Sequence, residues 1–284
     1  MPEGPEVRRA ADRIARVLVG SPLSTVVLEW AAIAPWESAL VGAVTERVET
    51  RGKYFVLHFS VGAVLVVHLQ LYGRWRVVAP GAPPDRGRSL RVTLGTERGE
   101  ARLYSATALE LVSPEALPFH AGLARLGPDL LSDGLGAEAI AARLEARAFA
   151  GRALGALLLD QGFIAGVGNY LRSEMLFEAG VSPWDRPRDL DAAARVRLGI
   201  AVRAVGERAL RTGGTTLPPA LLRERRALGA RGAARRHQVF GLAGLPCPRC
   251  GGRVQRADAA GRRVYWCPGC QPGRGPRAAA SREE

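Results

Sequence analysis

Of the 40 basic residues in this 284-residue chain, one is a lysine, Lys53; every other is an arginine. Lysine can give up and take back a proton, whereas arginine is in effect always charged. The lone lysine is therefore a candidate acid–base group; the competing reading is a chance survivor of GC-rich codon drift. Cysteine is scarce too, at four residues, all between positions 247 and 270. No stretch reaches the roughly 18 apolar residues that a membrane helix requires. The start, MPEGPEVRRAADR, lacks the apolar core of a secretory signal. These absences exclude a membrane-spanning or exported class and make the cytoplasm the expected compartment. Thiols stay reduced there, and cysteines favour metals over disulfides.

What the chain has in excess is positive charge, +13 in total. Such an excess steers a protein onto phosphates and makes binding salt-dependent. Nucleic acid is the favoured partner. An anionic membrane surface is the rival, and no lysine-rich amphipathic helix supports it. With 47% hydrophobic residues, the chain can bury about two domain cores plus small modules.

Segment 2–19 carries Val7, Ala10, Ala11, Ile14, Val17 and Leu18 at helical spacing. From 23 to 112, short β-branched runs are broken by Gly, Pro and Ser: LSTVVLEW, YFVLHFS, AVLVVHL and SLRVTLG. That texture predicts an antiparallel sandwich or barrel, with APGAPPDRGR (79–88) as a long hairpin connection. After Pro118 the pattern turns helical, at 137–160 and 189–211, around a glycine-interrupted stretch at 162–183. The basic segment 211–237 reads as a linker, mobile unless DNA is present.

The strongest local signal is Cys247-x2-Cys250 followed, with sixteen residues between, by Cys267-x2-Cys270. Two such knuckles across a hairpin fit one zinc ion. Four thiolates leave no open position for water, so the ion is structural, and its binding supplies the folding energy of a module too small for a core. The alternatives are a disulfide pair or a redox motif. Between the knuckles the sequence predicts strand, turn at 258–261, strand. Arg262 and Arg263 at the end of that turn are placed to reach a phosphate, or are merely solvated.

At the other end, initiator methionine is normally removed before a residue as small as proline, which would leave Pro2 with a free secondary amine. Such an amine titrates near 8, so part of it is neutral and nucleophilic. Attack on a sugar C1′ would give an iminium, and Glu3 next to it is placed to move protons. Taken alone this start is weak, since many unrelated proteins share it.

The segments MPEGPEVRR, ETRGKYF, HLQLYGRW, RLGPDLL, LLLDQGFIAGVGNYLRSE and YWCPGCQ occur in that order. Together they resemble the formamidopyrimidine-DNA glycosylase/endonuclease VIII family along nearly the whole chain, with the closer likeness to the endonuclease VIII branch. The resemblance implies an α+β multidomain fold. It comprises an N-terminal antiparallel β-sandwich with an N-terminal helix (1–120), a helix–two-turns–helix domain (121–215) and a zinc-finger β-hairpin (238–271). Composition adds a basic linker (216–237) and a disordered tail (272–284), in both of which the chain departs from the family pattern. DNA is expected in the cleft between the β-rich and helical domains.

The resemblance also assigns roles. Pro2 matches the Schiff-base nucleophile, Glu3 the acid catalyst and Lys53 the proton donor in β-elimination. Glu6 falls where the family has a further, supporting acid. Asn169 matches a phosphate-binding asparagine, a role that backbone N–H groups near Gly166 and Gly168 suit physically. Arg262 matches an arginine linked to δ-elimination, and Gln70 and Arg125 match DNA contacts. A base flipped from the stack leaves a gap that a wedge must fill. Gln70-Leu71-Tyr72 resembles the endonuclease VIII wedge, and the Asp-Pro-Arg-Arg-Phe-Gly motif of the purine-specific branch is absent. The expected activity is that of a monomeric, zinc-containing base-excision repair glycosylase and abasic-site lyase. It would remove oxidised pyrimidines from damaged double-stranded DNA and cut by β,δ-elimination. GGTTL (213–217) resembles the purine branch instead. An 8-oxoguanine-type glycosylase is thus one alternative, and a catalytically inactive zinc-ribbon DNA binder another.

Overall fold

The computed structural model describes residues 2–276, and the chain divides into two compact units at the Leu126–Gly127 junction. In the first unit, α1 (Gly4–Leu18) turns Val7, Ala11, Ile14 and Leu18 to one buried face, as three- and four-residue spacing requires. There follow β1 (Thr25–Leu28), the single turn α2 (Glu37–Leu40), β2 (Thr45–Arg51), β3 (Tyr54–Phe59) and β4 (Ala63–His68). After these come β5 (Arg74–Val78), β6 (Leu90–Thr96), β7 (Gly99–Tyr104) and β8 (Ala108–Val112).

The strands form two four-stranded antiparallel sheets, ordered β1-β6-β7-β5 and β2-β3-β4-β8. Period-two alternation sends Phe55, Leu57 and Phe59 of β3 into a core shared with Leu94, Leu103 and the apolar face of α1. The other face of the sheet carries Val56, Val64 and Val66 beneath Leu117 and Leu123. Strands β3 and β4 are thus covered on both sides and read as continuous apolar runs. Segment 79–88 is not a hairpin connection: β5 and β6 both pair with β7, one on either side, so the segment crosses over it.

The second unit begins with α3 (Ala137–Glu145), α4 (Arg147–Ala150) and α5 (Leu154–Leu157), short pieces separated by turns. Next come α6 (Asn169–Ala179) and α7 (Ala192–Thr212). Helix α6 is buried from Tyr170 to Phe177, and it packs against α7 and the zinc-knuckle hairpin. Helix α7 is capped by the Asp191 carboxylate, which accepts from Ala194 N–H, and ends at left-handed Gly213. The segment read as a linker contains a further helix, α8 (Pro219–Ala227). The hairpin is β9 (Gln255–Ala259) and β10 (Arg262–Trp266), turned by Ala260 and Gly261, both left-handed.

The start of the tail departs from the expected disorder. Arg274 donates from its backbone to Asp185 and from its guanidinium to both oxygens of Asp189, at 2.8 and 3.1 Å. Residues 277–284 lie outside the described residues.

Candidate active site and nucleic-acid interface

In the first unit, the chain's opening residues are fixed by helix capping. Glu3 is the N-cap of α1; its side chain accepts from the Glu6 N–H, and its own N–H donates to the Glu6 carboxylate at 3.2 Å. This is a reciprocal capping box, with a carboxylate here as the acceptor at both positions. It leaves Glu3 buried at 4% exposure, beside half-exposed Pro2. A carboxylate at a helix N-terminus sits in a favourable field, so burial there is compatible with charge.

Lys53 occupies the two-residue loop joining β2 to β3, after left-handed Gly52, a loop length whose primed turns favour glycine. Gln70, Leu71 and Tyr72 form the tip of the β4–β5 connection. The turn is tight: Gly73 N–H donates to Leu69 O at 2.8 Å, and a Cβ at Gly73 would lie 2.5 Å from that oxygen. Gln70 is left-handed, at φ 51°. Leu71 and Tyr72 are 66% and 73% exposed. Apolar side chains so displayed mark a contact surface.

Both loops meet at a residue the sequence reading passed over, His68. Its Nδ1 accepts the Gln70 N–H at 3.1 Å, and its ring packs on Tyr54 at 4.7 Å. Burial, and then the charge of Lys53, hold its pKa below the usual histidine range. A neutral ring that accepts at Nδ1 carries its proton on Nε2. Thr107 completes the loop's support by donating to Gln70 Oε1 at 3.1 Å. The continuous apolar run that leads into His68 gave no signal of this role. Arg125 is exposed just before the Leu126–Gly127 junction.

In the second unit, the turns between α5 and α6 are braced by Gln161. Its amide donates to Leu159 O and Val167 O and accepts from Gly166 N–H. Gly166 is left-handed. Asn169 opens α6, with its Oδ1 buried and lacking a hydrogen-bond partner among the described residues. The leading N–H groups of a helix start are a ready anion site, and the Asn169 amide can add to it only through its Nδ2 donors, since Oδ1 is an acceptor.

Arg262 and Arg263 are exposed at the start of β10. The hairpin is tied to α6 by Arg172, which has no solvent exposure. Its guanidinium donates to the carbonyls of Gly155 (2.7 Å), Ala259 (3.1 Å) and Arg262 (2.8 Å). It therefore grips both sides of the hairpin turn. An arginine inside the apolar stretch that follows Asn169, the chain's single asparagine, was the available sequence signal.

The four cysteine sulfurs lie within 4.8 Å of one another, with Cys250–Cys267 at 3.5 Å and Cys247–Cys270 at 3.7 Å. A tetrahedron with metal–sulfur bonds of about 2.3 Å places its sulfurs about 3.8 Å apart, so the donors fit one zinc ion. The Gly252 N–H lowers the Cys250 thiol to about 7, whereas burial pushes the thiols of Cys267 and Cys270 up, so thiolates at those two positions depend on the metal's own charge. Gln271 joins this cluster to the helical part: it accepts from Cys267 N–H at 3.0 Å and donates to Val181 O at 2.8 Å.

Comparison with known proteins agrees with this anatomy. Residues 1–107 match the formamidopyrimidine-DNA glycosylase N-terminal domain, 126–219 its H2TH domain, and 244–273 the zinc finger found in FPG and IleRS. Endonuclease 8 of Escherichia coli (strain K12 / DH10B) is 41% identical over 271 residues, 95% of this chain and all of the relative. Endonuclease 8 of Salmonella paratyphi B matches equally, at 41% over 271 residues, with the same coverage. Among solved structures, a point mutant of Lactococcus lactis FPG in complex with Fapy-dG-containing DNA superimposes with a TM-score of 0.79 at 22% identity. The wild-type L. lactis protein on DNA containing an oxidised pyrimidine gives 0.76, also at 22%. Both span 96% of this chain and all of theirs.

Proposed function

Because the chain belongs to the formamidopyrimidine-DNA glycosylase/endonuclease VIII family, whose members are DNA N-glycosylases with abasic-site lyase activity, we propose that it removes oxidised pyrimidines from duplex DNA. Strand cleavage by β,δ-elimination would follow. The observation that carries this reading is that His68 holds the exposed Gln70–Tyr72 turn while its ring packs on Tyr54, the residue after the lone lysine. These residues lie in the unit whose first residues are Pro2 and Glu3.

Leu71 and Tyr72 fill the gap left by the flipped nucleotide. With Met1 removed, the Pro2 nitrogen attacks C1′, the base departs with the glycosidic electron pair, and the departing base takes up a proton. Glu3 protonates the sugar ring oxygen as the ring opens, and the Pro2 nitrogen becomes an iminium. The iminium acidifies the C2′ proton, so the 3′ phosphate leaves by β-elimination with Lys53 handling protons. Loss of the 5′ phosphate by δ-elimination leaves a one-nucleotide gap with phosphates at both ends, and water hydrolyses the iminium, releasing the unsaturated sugar remnant as an aldehyde and restoring the Pro2 amine.

In the second unit, Asn169 and Arg262 hold phosphates of the same DNA. One zinc ion, bound by Cys247, Cys250, Cys267 and Cys270, would stabilise the hairpin on which Arg262 stands. Duplexes containing thymine glycol or 8-oxoguanine test the substrate assignment. Faster excision of thymine glycol is expected; a preference for 8-oxoguanine would transfer the protein to the purine branch, which its GGTTL segment resembles.

A further inference from the structure

The segment between α7 and the zinc knuckles is an excursion with a locked base and an open outer part. The base is locked by a single buried carboxylate. Glu174 of α6 accepts from the backbone N–H groups of Gln238, Val239 and Phe240 at 2.8–2.9 Å, and from the Thr216 hydroxyl at 2.7 Å. Thr216 N–H donates across the neck to Arg236 O at 2.8 Å.

Beyond this neck, residues 217–235 are built differently, apart from Leu217, which is still buried. Helix α8 has nine residues and buries none of them, and Leu228 just after it is 74% exposed. A helix that short is marginal in water unless packing supports it, and here its leucines, Leu221 and Leu222, are only partly covered. The same stretch carries Arg223, Arg225, Arg226, Arg231 and Arg235 against one acid, Glu224. Among the described residues, none of these five guanidiniums pairs with a carboxylate. The helix thus lacks both a core and charge compensation. A polyanion supplies the second directly, and by fixing the arginines it also favours the helix.

The root of the arm lies against the elements that carry the proposed phosphate contacts. The His237 ring packs on Tyr170, the residue after Asn169, at 5.1 Å. Phe240 packs on Tyr265 of β10, the strand that starts at Arg262, also at 5.1 Å.

We propose that residues 217–235 form an additional phosphate-gripping arm, in which Arg223, Arg225 and Arg226 of α8 bind the DNA backbone beside the contacts of Asn169 and Arg262. The arm rests on the reading that those two residues engage DNA. Guanidinium groups suit the task because their planar forks bind phosphate oxygens in pairs.

The test compares the full chain with an R223Q/R225Q/R226Q variant, on duplex DNA carrying an uncleavable abasic analogue, between 50 and 200 mM salt. Each phosphate contact contributes about 0.9 to the slope of log affinity against log salt. The variant's slope should be shallower by about 2 to 3, and borohydride trapping at saturating abasic DNA should proceed within about twofold of the parent rate. Amides of 219–227 should gain hydrogen-exchange protection when the parent binds DNA. An unchanged slope with no gain in protection overturns the arm. So does an unchanged slope with selective loss of lesion-base excision, which would make the segment a cap on the base. Failure of the parent to trap at all would refute the lyase reading, and the salt slopes would still report on the arm.

Discussion

From a position with no solvent exposure, Arg172 of α6 donates its guanidinium to the main-chain carbonyl of Arg262 at 2.8 Å. The same guanidinium holds Ala259 O across the turn and Gly155 O in the helical unit. The arginine expected to touch DNA is thus aimed by an arginine that never meets solvent. Arg172→Ala removes the partner of three carbonyls, that of Gly155 buried and those of Ala259 and Arg262 part-buried, and should cost on the order of 3 kcal/mol. Zinc content should stay at one per chain while DNA cleavage falls at least about tenfold, since 1.4 kcal/mol of misplacement is already a factor of ten. Metal analysis beside a nicking assay checks this; wild-type cleavage by the variant would show that the hairpin holds its position without Arg172.

Metal removal should act on one unit only. Chelation takes away the ligand that holds the knuckles together, and Gln271 and Arg249, which donates to Phe177 O at 2.8 Å, then lose their fixed frame. DNA binding and cleavage should disappear, while the β-sandwich, whose core involves no cysteine, keeps its unfolding transition. Calorimetry with and without chelator reads both; a chelated protein with full activity would remove zinc from the account.

Acid should weaken the second unit through His237. Burial, and then the charge of Arg236, push its pKa down to about 3, against about 6.5 in an unfolded chain. The unfolded state therefore takes up the proton first. The stability is fully present above pH 6.5 and drains away as pH falls toward 3, at about 1.4 kcal/mol per pH unit, or about 2 kcal/mol by pH 5. Melting temperatures measured from pH 7.5 to 5 should fall less steeply for His237→Asn than for the parent. Parallel slopes would mean that another group sets the acid sensitivity.

The wedge should separate excision from strand cleavage. Leu71 and Tyr72 are exposed, so replacing both with alanine should leave stability within about 0.5 kcal/mol. Excision of a paired lesion base should drop about tenfold or more, because unstacking costs a few kcal/mol without a filler. A preformed abasic site in single-stranded DNA needs no such filler and should be cut at the parent rate. Equal losses on both substrates would contradict the wedge assignment.

The features legible in the sequence were those whose signal is local or compositional. Four cysteines at knuckle spacing, a lone lysine, and the short apolar runs of β3 and β4 all speak within a few residues of themselves. Long-range pairing was not legible. Segment 79–88 looked like a hairpin because β5 and β6 are consecutive, yet β7 lies between them. Segment 219–227 looked like linker because it has nothing to bury, although Ala, Leu, Glu and Arg are good helix formers and Glu174 fixes its neck from 42 residues before Thr216. Tail residue Arg274 is held by Asp185 and Asp189, about ninety positions earlier. His68 and Arg172 escaped notice because their importance lies in which backbone groups they meet.

The central claim is that the amine of Pro2 is the nucleophile, and its most direct test maps a borohydride-trapped cross-link. Reduction in the presence of abasic-site duplex should fix one DNA strand to each protein, and mass spectrometry of the digested adduct should place it on the N-terminal peptide at Pro2. A cross-link on Lys53, or no cross-link from protein shown to have lost Met1, would contradict the account.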